Sequence, residues 1–350
     1  MKNILFLLVF ILLACGSSET QTNPQQPSEN TRGEWLIPSE EIFDGGPGKD
    51  GIPSVDDPKF DDVDEVNFLN DNDLIIGVVH NGEVKAYPHP ILDWHEIIND
   101  EIDDIAFALT YCPLTGTGVA WDRIINGTKT TFGVSGKLYN TNLIPYDRAT
   151  DSYWSQIRLD CVNGDLAGEE IKTFPIFETS WKTWKKAYPD SKVLNTDTGF
   201  SRNYDEYPYG DYQTNNSRLL FPVSFVDDRL PAKERVLGLV SGETKRAYSI
   251  ELFGESRVIQ DQIDGTDILI VGSKSDNYIV AFENQNLSNL SHVANQLPVI
   301  AEDDLGNRIT MSGEIVAGPL AGSQLKPVDS FMGFFFSFGA FYEGIEIFED

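Results

Sequence analysis

Short apolar runs separated by turn signals dominate the pattern after residue 73. Residues 74–80 (LIIGVVH) and 83–88 (EVKAYP) flank an Asn-Gly pair at 81–82, a strong short-range signal for a β-hairpin. The continuous apolar run at 105–111 (IAFALTY) predicts a buried strand, and 119–123 (VAWDR) begins its return partner. This part of the chain is therefore expected to form antiparallel β-structure.

Two segments have helical periodicity. Pro90 opens the first, at 91–100 (ILDWHEIIND), whose buried face is predicted from positions i, i+3, i+4 and i+7: Ile91, Trp94, His95 and Ile98. His95 is therefore expected to point inward. The second segment, 179–189 (TSWKTWKKAYP), predicts a short amphipathic helix with three aromatic residues on its buried side: Trp181, Trp184 and Tyr188.

Part of the chain occurs twice. Residues 75–123 align without gaps to 236–284 at a constant shift, and residues 164–172 (GDLAGEEIK) recur as 318–326 (GPLAGSQLK). The first alignment pairs Gly77 with Gly238, Tyr87 with Tyr248, and Asp100 with Asp261. Such self-similarity predicts an α+β fold with two tandem homologous halves, built from antiparallel sheets and short helices.

The second half is expected to be degenerate, because the polar residues of the first half are not repeated in it. His95, Cys112 and Gly116 correspond to Ser256, Ser273 and Asn277. Candidate chemistry is therefore expected in the first half.

The N-terminus has the pattern of an exported lipoprotein. Lys2 precedes an apolar run that is too short to span a bilayer, and the run ends in LLAC before Gly16, which predicts lipidation of Cys15. Gly16 in place of Asp favours the outer membrane of a Gram-negative cell, with the protein facing the periplasm or the cell surface. The predicted division is signal peptide 1–14, lipidated N-terminus and tether 15–34, first half 35–195, connection 196–235, and second half 236–350.

Composition and charge limit the function classes. The 350 residues are 41% hydrophobic and 23% charged, as in ordinary globular proteins, and the formal net charge is −29. Such an excess of acidic residues argues against nucleic acid as a partner. The predicted membrane association therefore depends on the lipid at Cys15.

The turn after the strand at 105–111 is the main candidate for chemistry. Cys112 begins the sequence CPLTGTG, in which Gly116 and Gly118 allow backbone N–H groups to approach a ligand. Its thiol is a candidate nucleophile with His95 as base, or a soft metal ligand with His95 as a second ligand. A disulfide or a buried pair with Cys161 is the structural alternative, and His95 is alternatively a hydrogen-bonded core histidine.

The segment 132–156 (FGVSGKLYNTNLIPYDRATDSYWSQ) has no recognisable counterpart in the second half. It is dense in hydrogen-bonding and stacking side chains, which suit ligand recognition or, equally, the pinning of turns. The candidate ligand-binding residues are Tyr139, Asn140, Asp147, Arg148, Trp154 and Gln156.

Several long motifs resemble one bacterial family in the right order. These are WHEIIND (94–100), TYCPLTGTGVAWDR (110–123), the segment 132–156, and LFPVSFVDDRLP (220–231). Together they resemble DUF3179, a family of unknown function, over about residues 60–350. The family turn often reads CPLCGT, whereas Thr115 stands here in place of the second cysteine, which weakens both redox chemistry and a two-thiolate metal clamp.

The leading hypothesis is a lipid-anchored envelope protein with a small-ligand or metal site made of His95, Cys112 and the 139–156 loop. A cysteine-dependent hydrolase or transferase with Cys112 as nucleophile is the second hypothesis, and a purely structural envelope factor is the third. No P-loop, HExxH, GxSxG or dinucleotide motif narrows the reaction class, and no cofactor is indicated.

Overall fold

Antiparallel sheets dominate the secondary structure of the first half. The computed structural model describes residues 33–240, 242–285 and 287–349. The first-half strands are β1 (Ile42–Asp44), β2 (Phe60–Asp62), β3 (Leu74–His80), β4 (Glu83–Pro88), β5 (Ile97–Ile102), β6 (Ile105–Cys112), β7 (Thr117–Asp122), β8 (Ile124–Ile125), β9 (Thr128–Lys129), β10 (Phe132–Tyr139), β11 (Asn142–Asp147), β12 (Tyr153–Ser155), β13 (Asp160–Asn163), β14 (Thr173–Phe174), β15 (Phe177–Ser180) and β16 (Lys192–Leu194). The helices are α1 (His89–His95) and α2 (Trp181–Ala187), with a 3-10 turn at Ser39–Glu41.

The second half repeats this composition. Its strands are β17 (Arg235–Leu239), β18 (Arg246–Ser249), β19 (Arg257–Ile263), β20 (Thr266–Ser273), β21 (Tyr278–Glu283), β22 (Ser291–His292), β23 (Val299–Glu302), β24 (Arg308–Thr310), β25 (Ile315–Ala317), β26 (Ser330–Phe334) and β27 (Glu346–Ile347). A 3-10 turn at Ile250–Phe253 and helix α3 (Phe335–Phe341) complete it. The predicted α+β fold of antiparallel sheets with few short helices is confirmed.

The two halves have matching strand orders. The order β15-β3-β4-β16 corresponds to β26-β17-β18-β27, and each group ends in a parallel pair, β4 with β16 and β18 with β27. Strands β6 and β20 begin and end 161 positions apart, while α2 and α3 begin and end 154 positions apart. Segment 132–156 lies in the sheet β1-β10-β11-β12-β13, and a four-stranded sheet, β22-β23-β24-β25, has the corresponding place in chain order. Common descent of the two halves stays a prediction.

A glycine in β3 and another in β17 each allow an aromatic ring to pack against the backbone. A Cβ atom on Gly77 would overlap the ring of Trp184, and one on Gly238 would overlap the ring of Phe338. Both glycines are paired in the sequence alignment, and both rings lie on the helix that follows the edge strand. The same packing solution therefore occurs in each half.

The predicted hairpin, strand and second helix are confirmed. Asn81 and Gly82 both have positive φ, at 46° and 83°, which the tight turn between β3 and β4 requires. Strand β6 and its partner β7 pair antiparallel across the turn that begins at Cys112. In α2 the side chains of Trp181 and Trp184 are buried, as predicted.

The first helix is shorter than predicted. We expected it to reach Asp100, but it ends at His95, and Ile98 belongs to strand β5 instead of the helix face. Glu96 has a φ of 57°, a left-handed conformation that stops the helix. The β-branched residues that follow favour a strand, which pairs along its whole length with β6.

The hydrophobic core is shared between the halves. One cluster contains Ala108 and Trp121 of the first half together with Val236 and Phe335 of the second. An apolar cavity of about 300 Å³ lies between the halves. None of the described helices is long and apolar enough to cross a membrane. The predicted signal peptide and the lipidation site Cys15 lie outside the described residues.

Candidate functional site

Helix α1 presents a histidine and a carboxyl group side by side. It begins directly after β4, and Pro90 in its first turn needs no hydrogen-bonding N–H there. His89 and Asp93 are four positions apart, so their side chains lie on one face. Both residues are buried, with 6% of their surface exposed.

A buried ionic chain connects this helix to the second half. The Nε2 atom of His89 lies 2.9 Å from Oε2 of Glu178, on β15. The other carboxylate oxygen of Glu178 accepts a hydrogen bond from Arg235 on β17, which also donates to Asn277. Burial pushes the pKa of Glu178 upwards, but Arg235 and His89 outweigh it, and the pKa lies below its ordinary value. Glu178 is therefore a buried, ionised carboxylate.

The carboxyl groups of Asp93 and Glu96, in contrast to that of Glu178, have raised pKa values. The Oδ1 atom of Asp93 is buried and has no hydrogen-bond partner. Burial raises the pKa of Asp93 well above its ordinary value, and the carboxylates of Glu96, Asp73 and Glu178 raise it further. Burial also raises the pKa of Glu96 to about 8, although a hydrogen bond with Tyr209 opposes the shift. Glu96 therefore favours its protonated form at neutral pH, and the ionised form of Asp93 is disfavoured by its surroundings.

A polar cavity of about 430 Å³ opens beside this helix. His89, Asp93 and Arg235 form part of its wall. Its other polar lining residues include Asn70, Asn72, Asp73, Gln213 and Asn277, and its aromatic lining residues are Phe68, Tyr204 and Tyr207. Amide, carboxyl and aromatic groups together provide hydrogen bonds and stacking surface for a small polar molecule.

The connecting segment lies over α1 and the Cys112 turn. The backbone oxygen of Glu206 accepts a hydrogen bond from Nε1 of Trp94 at 3.0 Å. The hydroxyl groups of Tyr207 and Tyr212 donate to the backbone oxygens of Pro113 and Leu114, at 3.3 and 2.9 Å. This segment therefore supplies one wall of the cavity and covers the turn.

His95 is a fully buried residue with two internal partners. Its Nδ1 atom lies 2.7 Å from the backbone oxygen of Pro53, and its Nε2 atom lies 2.7 Å from the hydroxyl of Tyr204. Because a carbonyl only accepts, Nδ1 carries the proton and Nε2 accepts from Tyr204. Burial lowers the pKa of His95. These contacts match the core-histidine alternative, and neither ring nitrogen is directed at Cys112.

Cys112 and Cys161 are both free and buried, so the disulfide alternative is wrong. The thiol of Cys112 lies 3.7 Å from the backbone oxygen of Thr141, and that of Cys161 lies 3.3 Å from the backbone oxygen of Asn163. Burial raises the pKa of Cys112 to about 11, and the carboxyl of Glu96 adds to the rise. A nucleophilic thiol requires the opposite shift.

Thr115, which replaces the second cysteine of the family turn, belongs to a closed buried network. Its hydroxyl lies 2.8 Å from that of Thr117 and accepts from Nδ2 of Asn142 at 2.9 Å. The Gln156 carbonyl oxygen accepts from Thr117 and Asn142, each at 2.7 Å, while its amide donates to Thr110 at 3.0 Å. Gln156, a predicted ligand-binding residue, thus has its polar atoms used inside the core.

The other predicted ligand-binding residues also have internal partners. Asp147 accepts from the backbone N–H of Thr150 at 2.7 Å and from Nε1 of Trp154 at 3.1 Å. Asn140 donates to the backbone oxygen of Ala340 at 3.2 Å. The remaining contacts are Arg148 with the carboxylates of Asp50 and Asp56 at 3.1 and 3.3 Å, and the ring of Tyr139 with that of Phe341. Their contacts match the turn-pinning alternative.

Lys233, like Asp93, is one of several buried groups with a side-chain atom that lacks a hydrogen-bond partner. Its side-chain nitrogen lies 3.3, 4.5 and 5.2 Å from the ring centres of Tyr212, Phe336 and Phe334. Burial lowers the pKa of Lys233 to about 7, although the thiol of Cys112 acts in the opposite sense. Aromatic faces therefore replace water around this amine.

One group of potential metal ligands occurs among the described residues, and it is away from the cavity. Donor atoms of His80, Asp103 and Asp104 lie within 4.8 Å of one another. Both aspartates are exposed, and the group lies on adjacent turns. The predicted metal candidates Cys112 and His95 are not part of it.

Comparison with known proteins assigns the chain to a family. Residues 49–344 match the family described as "Protein of unknown function (DUF3179)", which covers most of the chain. The chain belongs to the DUF3179 family. No curated protein and no solved structure matches it.

Sequence reasoning missed the polar lining of the cavity in this DUF3179 protein. His89, Asp93 and Glu178 have the counterparts Ile250, Gly254 and Met332 at the two repeat spacings, so these three polar residues are not repeated in the second half. The spacing of His89 and Asp93 on a helix was a usable signal. Glu178 and Arg235 carry no such signal, because only the tertiary fold brings them together.

Proposed function

We propose that this DUF3179 protein is an exported, lipid-anchored protein whose folded part binds a small polar ligand in the cavity beside α1. His89, Asp93 and Arg235 lie in the wall of this cavity, and Glu178, outside the wall, contacts His89 and Arg235. This proposal replaces the expected site at His95, Cys112 and the 139–156 loop, where internal partners use the polar side-chain atoms.

The observation that carries the proposal is the unpartnered carboxyl oxygen of Asp93. A buried polar group without a hydrogen bond costs about 1 to 3 kcal/mol, so such groups are uncommon unless a ligand or water satisfies them. Asp93 lines a polar cavity, next to a histidine that contacts an ionised glutamate. A ligand donor bound there would satisfy the orphaned oxygen.

The membrane anchor is supported by the sequence alone. The LLAC motif follows a short apolar run, and residues 15–34 contain the polar composition of a tether. Lipidation of Cys15 would hold the folded part at the outer membrane, facing the periplasm or the cell surface. Thiol catalysis by Cys112, in contrast, is opposed by its burial and raised pKa.

Ligand binding is tested with a panel of monosaccharides, amino acids and amines added to the full-length protein in detergent. We expect at least one compound to raise the Tm with saturation, and Asp93→Asn or His89→Gln to abolish that shift. Asp228→Asn, an exposed carboxylate that does not line the cavity, is the matched control. A panel without any saturable shift, or a shift that both cavity variants retain, would refute the proposal.

A further inference from the structure

Carboxylates outnumber cationic groups around the cavity. Its acidic lining residues, within the described part of the chain, are Asp73, Asp93, Asp205 and Glu206. The one lining arginine, Arg235, is already engaged by Glu178 and Asn277. An anionic ligand would therefore meet carboxylates without a free cation, and such like-charge contacts oppose binding.

Asp93 is the acidic group best placed to recognise a positive charge. Its Oδ1 atom is buried without a partner in the wall of the cavity. The titratable or charged groups that face it are Glu96 and His89 on α1, Asp73 before β3, Tyr111 on β6, Glu178 on β15, Tyr207 and Tyr209 on the connection and Arg235 on β17. Asp73 and Glu178 are carboxylates and Glu96 is a third acidic group, so the potential at Asp93 favours a cation, either a proton or a ligand.

We infer that the ligand is a small cation rich in hydroxyl or amide groups, and that its ammonium group binds at the unpartnered Oδ1 atom of Asp93. The inference rests on the proposed function and specifies its ligand class. Amide side chains of Asn70, Asn72 and Gln213 provide donors and acceptors for the neutral part of such a molecule. Amino sugars and hydroxylated amines have this chemistry.

The exchange is balanced in protons. Burial and neighbouring carboxyl groups raise the pKa of the Asp93 carboxyl in the empty site, so this carboxyl holds a proton more readily than an exposed aspartate does. When an ammonium group binds to the protonated carboxyl, the carboxyl releases its proton to the buffer and the ligand remains protonated. Below the pKa of the empty site, binding therefore releases up to one proton per ligand and becomes tighter as the pH rises towards that pKa.

A charge series on one sugar ring tests the inference in the full-length protein. Glucosamine is the cation, N-acetylglucosamine is neutral and glucuronate is the anion. Titration calorimetry in phosphate and Tris buffers, which differ in heat of ionisation, measures the protons released. We expect glucosamine to bind at least about 10-fold more tightly than the other two, with a net release of protons, and Asp93→Asn to lose both effects.

The outcomes separate this inference from the proposed function. If N-acetylglucosamine or glucuronate binds as tightly as glucosamine and Asp93→Asn weakens it, the cavity binds ligands but the charge inference is wrong. If no sugar of the series binds, or if Asp93→Asn binds glucosamine like the Asp228→Asn control, the charge inference is wrong, and the wider compound panel decides the proposed function separately. Proton release by the wild type decides the inference even if Asp93→Asn does not fold.

Discussion

Replacing Lys233 with methionine should remove a large pH dependence of stability. The buried amine has a pKa of about 7, against an ordinary value of 10.5. Between these values the unfolded chain binds one proton more than the folded chain, so the free energy of unfolding rises with pH by about 1.4 kcal/mol per unit. From pH 7.5 to 9.5 this contributes about 2.5 kcal/mol in the wild type and nothing in Lys233→Met.

Urea denaturation at several pH values measures this difference. The quantity to compare is the free energy of unfolding of the wild type minus that of Lys233→Met, because other titrating groups cancel in it. Lys182→Met, a substitution of an exposed lysine on α2, is the matched control and should run parallel to the wild type. Methionine packs well among aromatic rings, so the variant is expected to fold. Parallel profiles for the wild type and Lys233→Met would refute the reasoning.

Three further predictions concern packing, thiols and the anchor. Gly77→Ala should lower the free energy of unfolding by about 2 kcal/mol in urea denaturation, because the new Cβ atom overlaps the Trp184 ring. The control Gly82→Asn lies at an open turn with positive φ and should leave the free energy of unfolding nearly unchanged. Cys112 and Cys161 should resist iodoacetamide in the native protein at pH 8, and both should react in urea without a reductant. Peptide mapping identifies the labelled residues, and labelling that requires reduction would contradict the free thiols. Cys15→Ser should move the protein from the membrane to the soluble fraction, and retention at the membrane would exclude lipid anchoring there.

The strands and the second helix could be predicted, because each depends on residues within its own short segment. The Asn-Gly turn, the apolar run before Cys112 and the spacing of Trp181 and Trp184 each determine a short element from its own residues. The end of α1 was predicted wrongly, since the helical period continues through Ile98 while the left-handed conformation of Glu96 interrupts it.

The cavity was not predicted, because its groups come from distant parts of the chain. Glu178 and Arg235 are 57 positions apart, and neither belongs to a recognisable motif. Cys112 and His95 attracted attention as reactive residue types, but reactivity depends on burial and on partners such as Thr141 and Pro53 that the sequence does not identify. The residue types indicate which chemistry is possible. The tertiary contacts decide which polar side-chain atoms lack a partner inside the protein.

Strand β26 and helix α3 pack into the core of the first half, which has a consequence for how the chain folds. The backbone N–H of Phe334 donates to the oxygen of Thr115 at 2.7 Å, and the hydroxyl of Tyr342 donates to the oxygen of Ile157 at 2.7 Å. The core of the first half is therefore complete only after synthesis of a segment more than two hundred residues downstream of the Cys112 turn. A ribosome that stops early would release a chain with exposed apolar strands, which proteases recognise, so only complete chains would survive.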